Sequence, residues 1–187
     1  MEETLQASLN NGEKILWRSG TEAFETLDKT NKPAFIRNGL IGGFIAIVIA
    51  IALIATGGFD RKTLLIIVIT FLLCAIPTIN TLSDASKLRK IEYIATTERL
   101  IVLRDSVRSA FYSQIQAAAF REDEDGHVSL LCGPDGLKAK PQKFREICVV
   151  GNSSSDSGAG CVRFCFYAPK DRAALQNILH KKMPSLF

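Results

Sequence analysis

The sequence predicts a membrane-anchored, mainly β protein: a hairpin of two transmembrane helices followed by a seven-stranded barrel or sandwich closed by one amphipathic C-terminal helix. Three observations carry this. Two uncharged apolar runs stand in tandem near the middle of the chain, short β-branched runs follow at close spacing, and the last segment has an apolar stripe of helical period. With 187 residues there is room for one domain of ordinary size, about 100–150 residues, plus an appendage.

The first run, Gly39 to Phe59, is GLIGGFIAIVIAIALIATGGF. At about 1.5 Å per residue a helix of this length covers roughly 30 Å, the thickness of a bilayer's hydrocarbon core. The second, Thr63 to Leu82, is TLLIIVITFLLCAIPTINTL, with Pro77 near its far end. Its β-branched residues still favour helix in lipid, where an open strand leaves backbone groups unpaired. A buried core helix or strand is the alternative for either run alone; two in tandem argue against it. A polar stretch of 38 residues precedes the first run, so a cleaved signal peptide is not expected.

Lys29, Lys32 and Arg37 lie before the hairpin and Lys87, Arg89 and Lys90 after it, against Arg61 and Lys62 in its loop. This asymmetry predicts a plasma-membrane protein with both termini cytoplasmic. Neither run carries Asp, Glu, Lys, Arg or His, so transport by the hairpin is not expected. Gly39 and Gly43 form a small-xxx-small pair that allows close helix approach. The domains expected are a cytoplasmic segment 1–38, the hairpin 39–82 and a cytoplasmic β domain 83–187. The formal net charge of +4 comes without a dense basic stripe, so no nucleic-acid partner is expected. Five cysteines, Cys74, Cys132, Cys148, Cys161 and Cys165, have no framework spacing and predict a reducing compartment.

Beyond Lys87, KLRKIEYIATT and RLIVLRDS predict a strand pair turned at Thr96-Thr97-Glu98. VRSAFYS, IQAAAFRE and HVSLLC continue the series, the last after the Asp125-Gly126 turn. KFREICVV and CVRFCFY are read as two further strands around the flexible loop GNSSSDSGAG. Pro169 and Asp171 then suit the start of a helix. Ala174, Leu175, Ile178 and Leu179 form its apolar stripe, and His180, Lys181 and Lys182 suit its negative end.

In combination these features resemble the bacterial pleckstrin-homology-like proteins of the membrane-flanked type. In these a GE-x-x-x-W segment, a transmembrane pair and a Y-x-x-T-x-x-R strand pair occur in that order. Gly12, Glu13 and Trp17 match the first motif, and Tyr93, Thr96 and Arg99 the second. Two departures are Trp17-Arg18-Ser19-Gly20-Thr21, where the family often has Trp-x-Gly and a nearby Pro, and Ala95, where a larger apolar residue is commoner. The resemblance implies a PH-like β domain with its helix at the C-terminus.

For binding, the candidate is the basic cluster Lys138, Lys140, Lys143 and Arg145, which suits anionic headgroups or a partner; solvated loop charge is the alternative. Glu122-Asp123-Glu124-Asp125-Gly126 lacks the ligand set of a calcium loop and is read as a hairpin turn. Cys161 and Cys165, four apart on a strand, are too far apart to share one zinc ion. Trp17 suits either the headgroup level or packing against the β domain. No metal or other cofactor is expected.

The expected function is a non-enzymatic interaction or scaffold protein, anchored in membrane lipid by the hairpin, whose β domain meets a protein partner or further copies of itself. Anionic-lipid sensing through the basic cluster is the alternative. A thiol-dependent enzyme is the third reading.

Overall fold

The computed structural model describes residues 2–57, 60–150 and 163–186. It divides into two units, Met1–Glu25 with Asp84–Phe187, and Thr26–Ser83. In chain order, helix α1 (Glu2–Ser8) and strand β1 (Ile15–Gly20) precede the long helices α2 (Lys32–Gly57) and α3 (Arg61–Leu88).

Both long helices begin where side chains satisfy exposed backbone donors. The Asp28 carboxylate accepts the Asn31 backbone N–H at 3.0 Å just before α2, and Pro33 falls in the first turn, where its missing N–H costs nothing. Asp60 does the same for Thr63 at 2.6 Å at the start of α3. The helices are longer than the uncharged runs at 39–59 and 63–82, because charge marks where apolar surroundings end and not where the backbone must stop coiling. Each contains a window apolar enough to cross a membrane, with mean hydropathy 2.6 and 2.3, and only 6% of either window is buried. Large apolar side chains such as Leu40, Phe44, Leu65 and Leu72 point outward.

The close approach within this pair is at Gly42, where a Cβ would lie 2.7 Å from the Cys74 carbonyl oxygen. Gly39 and Gly43, the pair singled out by spacing, have nothing within 4 Å of a Cβ position. The glycine one step round the helix is the one that faces α3.

Among the described residues the other unit holds β1 and six further strands: β2 (Glu92–Thr96), β3 (Arg99–Leu103), β4 (Val107–Phe111), β5 (Ala118–Glu122), β6 (Val128–Cys132) and β7 (Phe164–Phe166). They form two antiparallel sheets, ordered β1-β2-β3-β4 and β5-β6-β7. Helices α4 (Pro134–Leu137) and α5 (Phe144–Val150) lie between β6 and β7, and α6 (Arg172–Lys182) closes the order. A helical hairpin plus a β unit of two sheets is therefore the architecture.

Alternation along the first sheet explains two hydrophobic clusters. Tyr93, Ala95, Leu100 and Val102 face the main core, with Leu130, Phe164, Phe166, Leu175 and Leu179. Ile94, Ile101 and Leu103 point the other way and pack with Leu5 of α1.

Three expectations are corrected. The segment 1–38 is not one piece: residues to Glu25 pack with the β unit, and β1 pairs with β2 through Trp17↔Ala95 and Gly20↔Glu92. KFREICVV is helix α5, not a strand; its buried Phe144, Ile147 and Cys148 recur at helical spacing, which outweighs its β-branched content. Pro169 lies ahead of α6 and forms an isolated bridge with Thr21. The stripe of α6 itself is as read, with Leu175 and Leu179 buried and Ala174 and Ile178 packed against the core.

Candidate functional site

The six motif residues fall into two adjoining clusters that tie the segment before the hairpin to the strands after it. Gly12 has φ +88, in a turn where Glu13 donates its backbone N–H to Asn10 at 3.0 Å, so a residue without Cβ brings the Glu13 carboxylate round. That carboxylate accepts Arg99 Nε at 3.1 Å and Nη2 at 3.0 Å, a two-pronged pair, along with the Thr96 hydroxyl at 2.5 Å and the Asn10 N–H at 2.9 Å. Arg99 also donates to the Ser8 carbonyl at the end of α1 (2.5 Å) and to Ser109 on β4 (3.2 Å), and stacks over Phe111. Thr96 accepts the backbone N–H groups of Glu98 and Arg99, which makes the β2–β3 turn.

Burial alone would raise the Glu13 carboxyl's pKa. The hydrogen bonds from Arg99 and Thr96 outweigh it and hold the group below its ordinary value. Glu13 therefore stays charged, and its charge is spent on internal partners.

The second cluster is aromatic. Tyr93 stacks on Phe166 with centroids 4.6 Å apart, and Trp17 stacks on the same ring at 6.2 Å. The Tyr93 hydroxyl accepts the Tyr167 backbone N–H at 3.0 Å and lies 3.4 Å from the Thr21 hydroxyl. Burial pushes its pKa up to about 12, so it remains a neutral hydrogen-bonding group at any physiological pH. Trp17 is buried in the core of the β unit, as the packing reading expects, and its indole N–H has no hydrogen-bond partner among the described residues.

The basic cluster does not assemble as a four-cation patch. Lys138, Lys140 and Lys143 are exposed, and Lys143 pairs with Glu146 at 2.5 Å. Arg145 is buried, donating to the Tyr167 hydroxyl and the Glu25 carbonyl, both at 3.1 Å, with its guanidinium 4.5 Å from the Phe24 ring centroid. Tyr167 passes the chain of bonds on to Asp123 at 3.1 Å. Sequence reasoning missed this Phe24–Arg145–Tyr167–Asp123 group, because its members lie far apart along the chain.

Asp123 also accepts the backbone N–H groups of Asp125 and His127, so the acidic stretch is a hairpin turn. Among the described residues no three His, Cys, Asp or Glu side chains are placed to hold a metal ion.

Cys148 on α5 and Cys165 on β7 form a disulfide, with Cα atoms 5.1 Å apart. The expectation of unpaired cysteines is corrected: Phe144 and Ile147 draw α5 onto the core beside β7, and spacing in sequence carries no trace of that. Cys161 lies outside the described residues. No family model, curated protein or solved structure matches this chain. Glu13, Trp17, Tyr93, Thr96 and Arg99 bond or pack with one another's strands and turns, joining the segment before the hairpin to the sheet after it, and Gly12 shapes the turn that starts this joint.

Proposed function

We propose that this is a non-enzymatic scaffold protein of the membrane-flanked PH-like kind, in which the hairpin spans the plasma membrane and the β unit meets a protein partner or further copies of itself at the cytoplasmic face. The observation that carries the reading is the pairing of β1 with β2, one strand before the hairpin and one after it. Strands that share a register must lie on the same side of a bilayer, and two crossings meet that requirement where one or three would not. The cytoplasmic side rests on the lysine and arginine asymmetry, the cysteine argument having fallen with the Cys148–Cys165 bond.

A contact surface is supported by Ile15 and Leu16, the large exposed apolar side chains of the β unit among the described residues, at 41% and 44% exposure. They stand at the start of β1, an edge strand of the first sheet whose far end is already bonded to Pro169 and Lys170, and an open stretch of edge is where a further chain adds. Crosslinking of the full-length protein in native membranes tests this. Discrete adducts that disappear in the Ile15→Ser, Leu16→Ser double variant are expected. Absence of any adduct from the unaltered protein would reject the scaffold reading.

A further inference from the structure

Among the described residues, the hairpin unit has an open, shallow hollow at the start of each long helix, and the two are similar in size and different in charge. One, about 700 Å³, lies at the start of α2 and is lined by Lys29, Lys32 and Arg37 together with Ile36, Leu40 and Ile41. Lys32, Ile36, Arg37, Leu40 and Ile41 recur at helical steps and share one face of α2, and Lys29 stands in the turn just before it. The face is graded along the axis, with cations toward the N-terminal end and apolar side chains further in. No acidic residue stands in the first turn of α2, and the helix dipole adds positive potential there.

The other cleft, also about 700 Å³, lies at the start of α3 and is lined by Asp60, Arg61 and Lys62 with Leu64, Leu65 and Val68. It offers a similar apolar wall, but two cations are offset by one carboxylate. Equal volume with unequal charge separates what the two clefts can hold.

We propose that the α2 cleft is a binding site for one anionic phospholipid. Its phosphate sits among Lys29, Lys32 and Arg37, and an acyl chain runs along Ile36, Leu40 and Ile41. The charge of the cleft complements a headgroup with net negative charge, whereas a zwitterionic headgroup brings an ammonium group toward three cations. This site rests on the hairpin lying in a bilayer, and it is separate from the contact surface on β1.

The test uses the full chain, purified in detergent, delipidated and titrated with dioleoyl-phosphatidylglycerol or dioleoyl-phosphatidylcholine under native mass spectrometry. One phosphatidylglycerol is expected to bind at least about tenfold tighter than phosphatidylcholine. The preference should vanish in K29Q/K32Q/R37Q, survive in the charge-conserving K29R/K32R/R37K, and survive in both R61Q/K62Q and K138Q/K140Q/K143Q. Should the triple glutamine variant fail to fold, the single Arg37→Gln is expected to weaken phosphatidylglycerol binding severalfold. Equal binding of the two lipids, or a preference untouched by these changes, overturns the site. Displacement of the lipid by millimolar inorganic phosphate would also overturn it, in favour of a soluble anion. Membrane fractionation separates the two failures: a membrane-bound protein without lipid preference loses this site alone, whereas a protein in the soluble fraction loses the spanning hairpin and the site with it.

Discussion

The two units put the same kinds of side chain to opposite use. In the β unit Leu100, Ile101, Leu130 and Phe166 are fully buried, whereas in the hairpin Leu40, Phe44 and Leu72 are 63–69% exposed. One rule, that apolar surface leaves water, is met in the β unit by folding on itself, and in the hairpin the proposed bilayer would meet it. Polar groups diverge as well. The β unit buries a charged pair and supplies each member with several partners, while the apolar runs of the hairpin carry no Asp, Glu, Lys, Arg or His that would need one.

The strongest way to break this comparison is to strand a buried charge. Arg99→Ala leaves the Glu13 carboxylate without its main partner, and a loss of about 3–5 kcal/mol is expected in thermal unfolding of the full-length protein in detergent. A melting temperature within a degree or two of the unaltered protein would show that the pair is not structural.

A lysine on the outward face of the hairpin probes the other half. Leu72→Lys is expected to cost about 3 kcal/mol of membrane insertion, read as the inserted fraction in a glycosylation-reporter assay. If the hairpin faced water, the same change would be neutral or would improve solubility, so the sign of the effect decides.

Within the hairpin, Gly42→Val drives a side chain into the Cys74 carbonyl and is expected to weaken the helix pair by about 1–3 kcal/mol. Gly43→Val, with open space at its Cβ position, should change it by less than about 0.5 kcal/mol. Disulfide trapping between cysteines placed on α2 and α3 compares the two.

Acid gives the smallest effect. Glu13 has a folded-state pKa below its ordinary value of 4.5, so its contribution is fully present above that value and is lost as pH falls through the lowered one. The melting temperature should be level from neutral pH to about 5 and decline below about 4. Glu13→Gln should flatten that decline, which circular dichroism against pH would record.

How much of this was legible in the sequence depends on the reach of each interaction. The helix pair could be read because each helix carries its apolar composition along one continuous stretch. The β2–β3 turn could be read because Thr96, Glu98 and Arg99 bond within a few residues. The role of β1 was not, since its partner strand is separated from it by both long helices, and ILWRSG alone is too short to declare a strand. Helix α5 was misread because Ile and Val suit a strand as well as a buried helix face. Glu13 and Arg99 were marked by motif, yet nothing in one dimension says that they meet. The basic segment misled for the same reason: Arg145 looks like its lysine neighbours until Phe24 and Tyr167 are seen around it.

The pairing of β1 with β2 around an intact hairpin is most directly tested by membrane-impermeant maleimide labelling of single added cysteines in intact cells. Asn11→Cys and Lys181→Cys should both label only after the membrane is opened, and Lys62→Cys should label before it. Labelling of Asn11→Cys and Lys181→Cys from opposite sides would contradict the account, because no sheet can join strands that a bilayer separates.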